Sequence, residues 1–200
     1  MIIDQLGRNI IVNDPQRVVC LVPSLTELFC DLCARDKLVG VTKFCVHPET
    51  LRKETSDIGG TKNPRIADIR ALQPDLIIAN KEENRKEDID ELAEEFPVFV
   101  TDINDLNDSL ETVLTFGEIF GAEKKAKALF QKIEDITTEI GDKAPSIAPR
   151  SALYLIWQKP YMAAGTDTYI SKMLELFGIK NIVSLKGEGG LRYPEISKAE

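Results

Sequence analysis

Four cysteines and the single histidine carry the most specific chemistry in the sequence, and all five lie in its first quarter: Cys20, Cys30, Cys33, Cys45 and His47. Cys30-x-x-Cys33 and Cys45-x-His47 have the residue types of a Cys3His zinc site, which requires the two pairs to converge. Cys30 and Cys33 also fall in an apolar helical pattern, where a thiol packs as a small hydrophobe, and this buried-thiol reading is the favoured one. A domain of this size needs no disulfide staples, so the even cysteine count implies no framework. One histidine and no G-x-S-x-G elbow leave a Ser-His-Asp nucleophile without support. There is no Walker A sequence. Gly187-Glu-Gly-Gly190 neither opens a helix nor has dinucleotide-binding spacing. The carboxylates Glu82, Glu83, Glu87, Asp88 and Asp90 read as solvated helix surface.

The remaining polar and aromatic candidates gather in loops that follow apolar strand-like runs. They are Pro23-Ser24, Lys43-Phe44, His47, Thr61-Lys62, Asn80-Lys81, Trp157, Tyr161-Met162 and Tyr193. In open α/β sheets ligands bind at the carboxyl ends of strands, so these positions are the expected site. The set suits a large, flat, partly apolar ligand held by a few polar contacts. His47 is either a plain loop histidine, a hydrogen-bond donor or a ligand to a metal centre within a bound molecule. Trp157, the only tryptophan, reads equally as core or as ligand contact.

The elements that must position these residues follow from periodicity. Ile2-Ile3, Gly7 and Ile10–Val12 read as strand and turn. Arg17–Val22 is an apolar run suited to a strand buried on both faces. Pro23 stops it. Ser24 is the expected N-cap of a helix over Leu25–Cys33, with Glu27 completing a capping box. Strands are expected at Leu38–Val41, Leu76–Ala79 and Val98–Val100, and helices at Arg65–Leu72, Asn84–Ala93 and Leu106–Phe120. Thr42–Pro64 reads as one long irregular loop. This alternation predicts an α/β fold with a mostly parallel sheet. Ala122–Ile140 reads as one unbroken helix, about 28 Å long, with an apolar stripe from Ala126 to Ile140. Gly141 and Pro145 are expected to end it, with Ser146–Arg150 as linker.

The pattern then restarts: a strand at Ala152–Ile156, a helix Thr168–Phe177 capped by Thr166 or Asp167 with Gly178 after its end, and a strand Asn181–Leu185. Asn63-Pro64-Arg65-Ile66 in one half corresponds to Tyr193-Pro194-Glu195-Ile196 in the other, a weak duplication of element order. The expected organisation is an N-terminal α/β lobe over 1–121, a bridging helix over 122–142 and the first part of a second α/β lobe over 150–200. The second half stops at Glu200 in what reads as a helix's first turn, so that lobe is expected to be incomplete in this chain.

Composition bounds the function. With 43% hydrophobic and 29% charged residues, the 200-residue chain is an ordinary globular one. A net charge of −8 with no basic stripe argues against nucleic acid. No apolar run approaches the length of a membrane span. The start MIIDQLGRN has neither a basic n-region nor an apolar h-region, so no signal peptide is read there, and a native start at Met1 would imply a cytoplasmic protein.

Arg17-Val-Val-Cys-Leu-Val-Pro-Ser-Leu-Thr-Glu-Leu, Leu38-Val-Gly-Val-Thr, Pro48, Gly59-Gly60, Ala71-Leu-Gln-Pro-Asp-Leu-Ile-Ile-Ala, Asn84–Asp88, the long helix and Tyr161-Met-Ala-Ala-Gly165 together resemble the substrate-binding proteins of vitamin B12 and iron-siderophore ABC importers. Within them the sequence is closest to the cobalamin-binding branch. The resemblance covers essentially the whole chain. It implies two α/β lobes bridged by one long helix, a ligand held in a cleft between the lobes, and a non-enzymatic role in import at the cell envelope. It implies a corrinoid, ferric chelate or haem as ligand, no intrinsic cofactor, and an ABC permease as partner. His47 stands where the B12 receptor has an aromatic residue, and two more aromatic positions fall on Thr61 and Asn80. Trp157, Tyr161 and Tyr193 lie near expected cleft positions. His47 could be axial ligand to a bound cobalt or iron. The acidic transporter-docking positions fall on Ala67 and Ala199, with Asp68 and Glu200 as neighbouring substitutes. Two other readings remain: a cytoplasmic binding or sensing protein of the same fold, and a metal-dependent enzyme on a related two-lobed fold.

Overall fold

The computed structural model describes residues 1–32, 34–144, 148–183 and 191–197. The chain divides into two compact units, Met1–Asp102 with Glu111–Leu129, and Ile103–Leu110 with Phe130–Glu200.

The first unit opens on a short antiparallel hairpin, β1 (Ile2–Ile3) and β2 (Asn9–Ile10). Buried Asp4 organises its turn. Its carboxylate accepts from the Arg8 guanidinium at 2.7 Å and from the Val100 N–H at 3.2 Å, which ties the hairpin to the sheet. Five parallel strands follow: β3 (Val18–Cys20), β4 (Leu38–Val41), β5 (Ser56–Asp57), β6 (Leu76–Asn80) and β7 (Val98–Thr101), in the order β5-β4-β3-β6-β7. Val19 pairs with Ile77, and Ile78 with Phe99. The three central strands β4, β3 and β6 and the outer β7 are almost wholly buried, as strands covered on both faces require, while the edge strand β5 is exposed.

Helices α1 (Pro23–Asp31), α2 (Leu51–Glu54), α3 (Ile66–Leu72), α4 (Lys86–Ala93) and α5 (Leu106–Ile119) connect or follow these strands. Phe29, Phe99, Phe116 and Phe120 form a chain of edge-on ring contacts with centroids 4.3–5.8 Å apart. That geometry suits aromatic quadrupoles and fixes the sheet against its helices. The next helix, α6 (Glu123–Lys143), approaches α5 closely at Gly117, where an added Cβ would lie 2.4 Å from the Ala126 methyl.

Three sequence expectations change here. Val22, not Ser24, is the N-cap of α1, because Pro23 fits the first helical position with its fixed φ and missing N–H. The Thr42–Pro64 stretch holds α2 and β5, elements of four and two residues that are too short for periodicity to reveal. Helix α6 runs three residues past Ile140 and through Gly141. One glycine costs a helix only about 1 kcal/mol, and a Lys143–Glu139 ion pair one turn apart supports the last turn.

The second unit repeats the parallel strand pair with β8 (Arg150–Ala152) and β11 (Ile179–Asn181), the latter preceded by α7 (Tyr169–Leu176). A hairpin, β9 (Leu155–Trp157) and β10 (Met162–Ala163), intervenes. The single strand expected over Ala152–Ile156 is therefore two, because the chain leaves β11 after Ala152 and turns to pair with β10. Thr168, not Thr166 or Asp167, caps α7, its hydroxyl accepting the Ser171 N–H at 3.2 Å. Gly178 follows the helix with φ +69°, the left-handed conformation expected of it. Cys33, Pro145–Ile147, the Gly187–Gly190 loop, the end of the Asn181–Leu185 strand and Glu200 lie outside the described residues.

Candidate ligand-binding site

In the first unit β3 connects to β4 on one side and β6 to β7 on the other, so the sheet order switches between β3 and β6. A ligand crevice is expected beyond the carboxyl ends of such a pair. Here a buried side chain bridges its walls. Asn84 is buried, and its Nδ2 donates to the Leu21 carbonyl at 3.3 Å and the Thr61 carbonyl at 3.0 Å. Its Oδ1 accepts the Asn80 N–H at 2.8 Å. One amide thus ties together the loops after β3, β5 and β6, whose outer edge forms a rim.

Asn80 belongs to the same framework. Its Nδ2 donates to the Thr101 hydroxyl at 3.0 Å, while its Oδ1 accepts from the Glu82 and Glu83 N–H groups at 2.9 and 3.1 Å. Both ends of this amide are occupied, which makes Asn80 a support of the rim. Sequence reading missed Asn84. The available signal was an asparagine four residues after Asn80, just ahead of a helix, where such residues cap and staple turns.

The outward groups of the rim lie toward β4 and β5. Phe44 is 53% exposed, and the Lys43 ammonium stands 5.1 Å from its ring centroid. Both side chains pass over Gly60: a Cβ there would meet Phe44 Cε2 at 3.5 Å and Lys43 Cε at 3.8 Å. Gly59 must be glycine, since its φ is +98° and a Cβ would lie 2.8 Å from the Asn63 carbonyl oxygen. That turn sets Thr61, half-buried, and Lys62, exposed, beside the Lys43–Phe44 pair. The Lys62 ammonium donates to the Glu82 carbonyl. His47 is exposed on the same loop as Phe44. Ser24 is exposed in the first turn of α1.

The cysteines point elsewhere. Cys45 is buried, its sulfur 3.3 Å from both the Thr42 and Thr26 hydroxyl oxygens, while His47 two residues on faces solvent. The two halves of a Cys-x-His pair thus diverge. Cys20 is fully enclosed, and burial pushes its thiol up to about 12. Burial also raises the half-buried Cys30. Among the described residues no group of three or more Cys, His, Asp or Glu side chains is placed to hold a metal.

The second unit gathers its own candidates. Met162 pairs with Trp157 across the β9–β10 hairpin, and Met162 also bridges to Glu195. Tyr161 accepts the Ile196 N–H through its carbonyl at 2.9 Å, and the Ala163 N–H donates to the Pro194 carbonyl at 3.0 Å. Met162 therefore pairs with Trp157, which is 63% exposed, while Tyr161 lies in the hairpin's turn and Tyr193 in a bend just before the segment that meets it. Two shallow depressions in this unit, one lined by Asp105, Asn107, Lys172 and Met173 and the other by Thr166, Glu175, Gly178 and Asn181, include none of these residues.

Asp68 is engaged within the chain. Arg65 Nε lies 2.5 Å from its carboxylate and also pairs with Asp57. Asp68 is thus the chief cause of the raised Arg65 pKa. Asp57 is held below the usual carboxylate range chiefly by the Gly59 N–H.

With this geometry in place, the chain belongs to the periplasmic binding protein family, whose model matches residues 18–198. The family is one of binding proteins rather than enzymes. The chain is 28% identical over 179 residues to an uncharacterized ABC transporter substrate-binding lipoprotein of Bacillus subtilis, YvrC. That match takes in 86% of this chain and 56% of the relative, so the chain spans little more than half of that protein's length. Its fold is similar to the periplasmic vitamin B12 binding protein BtuF of Vibrio cholerae, with a TM-score of 0.83, 20% identity, and coverage of 93% of this chain and 72% of the other. It is also similar to a periplasmic heme binding protein of Pseudomonas aeruginosa, with a TM-score of 0.79, 24% identity, and coverage of 92% and 66%. The chain thus has the two-lobed α/β fold of these receptors. Among the described residues no helix is long and apolar enough to cross a membrane.

Proposed function

We propose that this protein binds a metal chelate of the corrinoid, haem or ferric-siderophore class for ABC-type import at the cell envelope, and that it does no chemistry on it. The observation that carries the reading is the rim of the first unit. In a family of binding proteins, Phe44, His47, Lys62 and Ser24 stand outward at the carboxyl ends of parallel strands, beside loops that Asn84 ties together after β3, β5 and β6. Thr61 lies among them, and within the second unit Trp157, Tyr161, Met162 and Tyr193 are the candidate ligand contacts. The ligand needs no resident cofactor, and His47 is the one described imidazole that could reach a bound metal. Titration of the full chain with cyanocobalamin, hemin and a ferric siderophore, followed by Trp157 fluorescence and by calorimetry, tests this. Saturable binding of at least one is expected; binding of none contradicts the reading. His47→Ala should alter the optical spectrum of the bound chelate if the imidazole is an axial ligand.

One observation favours a second reading, a binding or sensing protein of the same fold not docked to a permease. The Asp68 carboxylate is paired with Arg65 rather than presented alone. Asp68→Ala separates the two: reduced chelate uptake by cells supports docking, and unchanged uptake with intact binding supports the sensor.

A further inference from the structure

The rim of the first unit is electrically divided. At its β6–β7 end Lys81 is neutralised by Asp102 at 2.5 Å, and Glu82 and Glu83 follow on the same loop. At its β4–β5 end stand Lys43, His47 and Lys62, with Glu49 further along the His47 loop and the Lys62 ammonium reaching across to the Glu82 carbonyl. Elsewhere in the first hundred residues most lysines and arginines meet a carboxylate: Arg8 with Asp4, Arg35 with Glu54, Lys37 with Asp14, Arg70 with Glu91 and Glu95. The exceptions among the described residues are Arg17, whose guanidinium donates to the Leu72 and Gln73 carbonyls, Lys53 on α2, and the two lysines of this rim.

Both rim lysines are held by neutral partners. The Lys43 ammonium lies over the Phe44 ring, and Lys62 donates to a backbone carbonyl. Each position is fixed without its charge being cancelled. An ammonium has three donors, so Lys62 keeps two for an incoming group. In a chain of net charge −8, two cations without a carboxylate partner on one rim, Lys43 over an exposed aromatic ring and Lys62 on the loop after β5, are a local reversal of sign. Such a patch raises the local concentration of anions and rejects cations. A neutral ligand stacking on Phe44 would strip water from the Lys43 ammonium and return nothing for it. A ligand bearing carboxylates or catecholates would replace that water with charge-assisted hydrogen bonds.

We propose that this rim selects an anionic metal chelate over a neutral corrinoid, with Phe44 as the stacking face and Lys43 and Lys62 as the groups that recognise its negative charge. The proposal rests on the reading above that the rim is the ligand surface. Tetrapyrrole carboxylates and ferric catecholates share the required chemistry.

The test titrates the full chain with hemin, hemin dimethyl ester, a ferric tris-catecholate and cyanocobalamin. Lys43→Gln/Lys62→Gln is the test variant, and Lys53→Gln is a control for charge away from the rim. Both rim lysines are exposed, so circular dichroism and thermal melting should be unchanged in all variants. The double variant is expected to weaken the anionic chelate about tenfold or more, with Lys53→Gln within about twofold of the parent. If hemin is that chelate, its dimethyl ester should bind the parent and the double variant alike, and weakly. If the catecholate binds and hemin does not, the anion is a siderophore, and the same loss in the double variant is expected. Cyanocobalamin binding more tightly than both anions, or an anion bound equally by parent and double variant, overturns the proposal while leaving the chelate-binding reading in place. Binding of none of the four overturns both.

Discussion

In the first unit Leu76, Ile77, Ile78 and Ala79 of β6 are all fully buried, flanked by β3 and β7. In the second unit the run Leu153, Tyr154, Leu155, Ile156 and Trp157 is equally apolar, yet each residue is 36–63% exposed. Composition does not separate the two runs; the number of neighbouring strands among the described residues does. An inner strand of a five-stranded parallel sheet is covered on both faces and both edges, whereas a strand in a two-stranded sheet is covered by one neighbour. Hydrophobic burial scales with the area removed from water, so the stability of the described structure is concentrated in the first unit. The candidate residues of the second unit rest on a hairpin and the segment around Pro194.

This contrast can be broken most sharply by native-state hydrogen exchange. The Ile77 N–H, bonded to the Pro97 carbonyl at 2.9 Å, should exchange at least about 100-fold more slowly than the Ile182 N–H, bonded to the Ala152 carbonyl at 3.1 Å. Equal protection would mean that the second unit is as stable as the first. Side-chain truncation gives the next largest effect. Phe116→Ala, inside the ring chain with Phe99 and Phe120, should lower unfolding free energy by about 3–5 kcal/mol, and Leu155→Ala by less than about 1 kcal/mol. Urea unfolding of the two variants would show whether the costs separate.

Asn84→Ala sharpens the account of the rim. It leaves the Leu21 and Thr61 carbonyls without this donor and should cost about 1–3 kcal/mol by the same measurement. Asn80→Ala, with its amide equally committed, should behave similarly. The smallest effect is a matter of order. In native protein a thiol reagent should label half-buried Cys30 before Cys20 or Cys45, because Cys20 stays protonated to about 12 and both sulfurs are enclosed. Early labelling of Cys45 would mean that the loop carrying Phe44 and His47 opens readily.

Much of the fold was legible because it rests on local patterns. The runs at Leu38–Val41, Leu76–Ala79 and Val98–Val100 became strands within a residue of their expected limits, and the periodicity of Ala122–Ile140 became α6. The α1 start was misread because Pro23 was taken as a stop, whereas its ring geometry suits the first turn of a helix. The split of Ala152–Ile156 was illegible, since which neighbour a strand segment pairs with is decided by distant residues. Asn84 was hidden for the same reason: its role exists only once three loops meet. His47 and Cys45 show the converse. Their spacing suggested a shared metal, and strand and turn geometry sent one inward and the other outward.

The most direct test of the central claim, that the rim of the first unit is ligand surface, is hydrogen exchange of the full chain read peptide by peptide, with and without a saturating chelate found by titration. Slowed exchange is predicted across residues 42–47 and 59–64. Saturation that leaves 42–47 and 59–64 unchanged, while slowing exchange elsewhere on the chain, would contradict it.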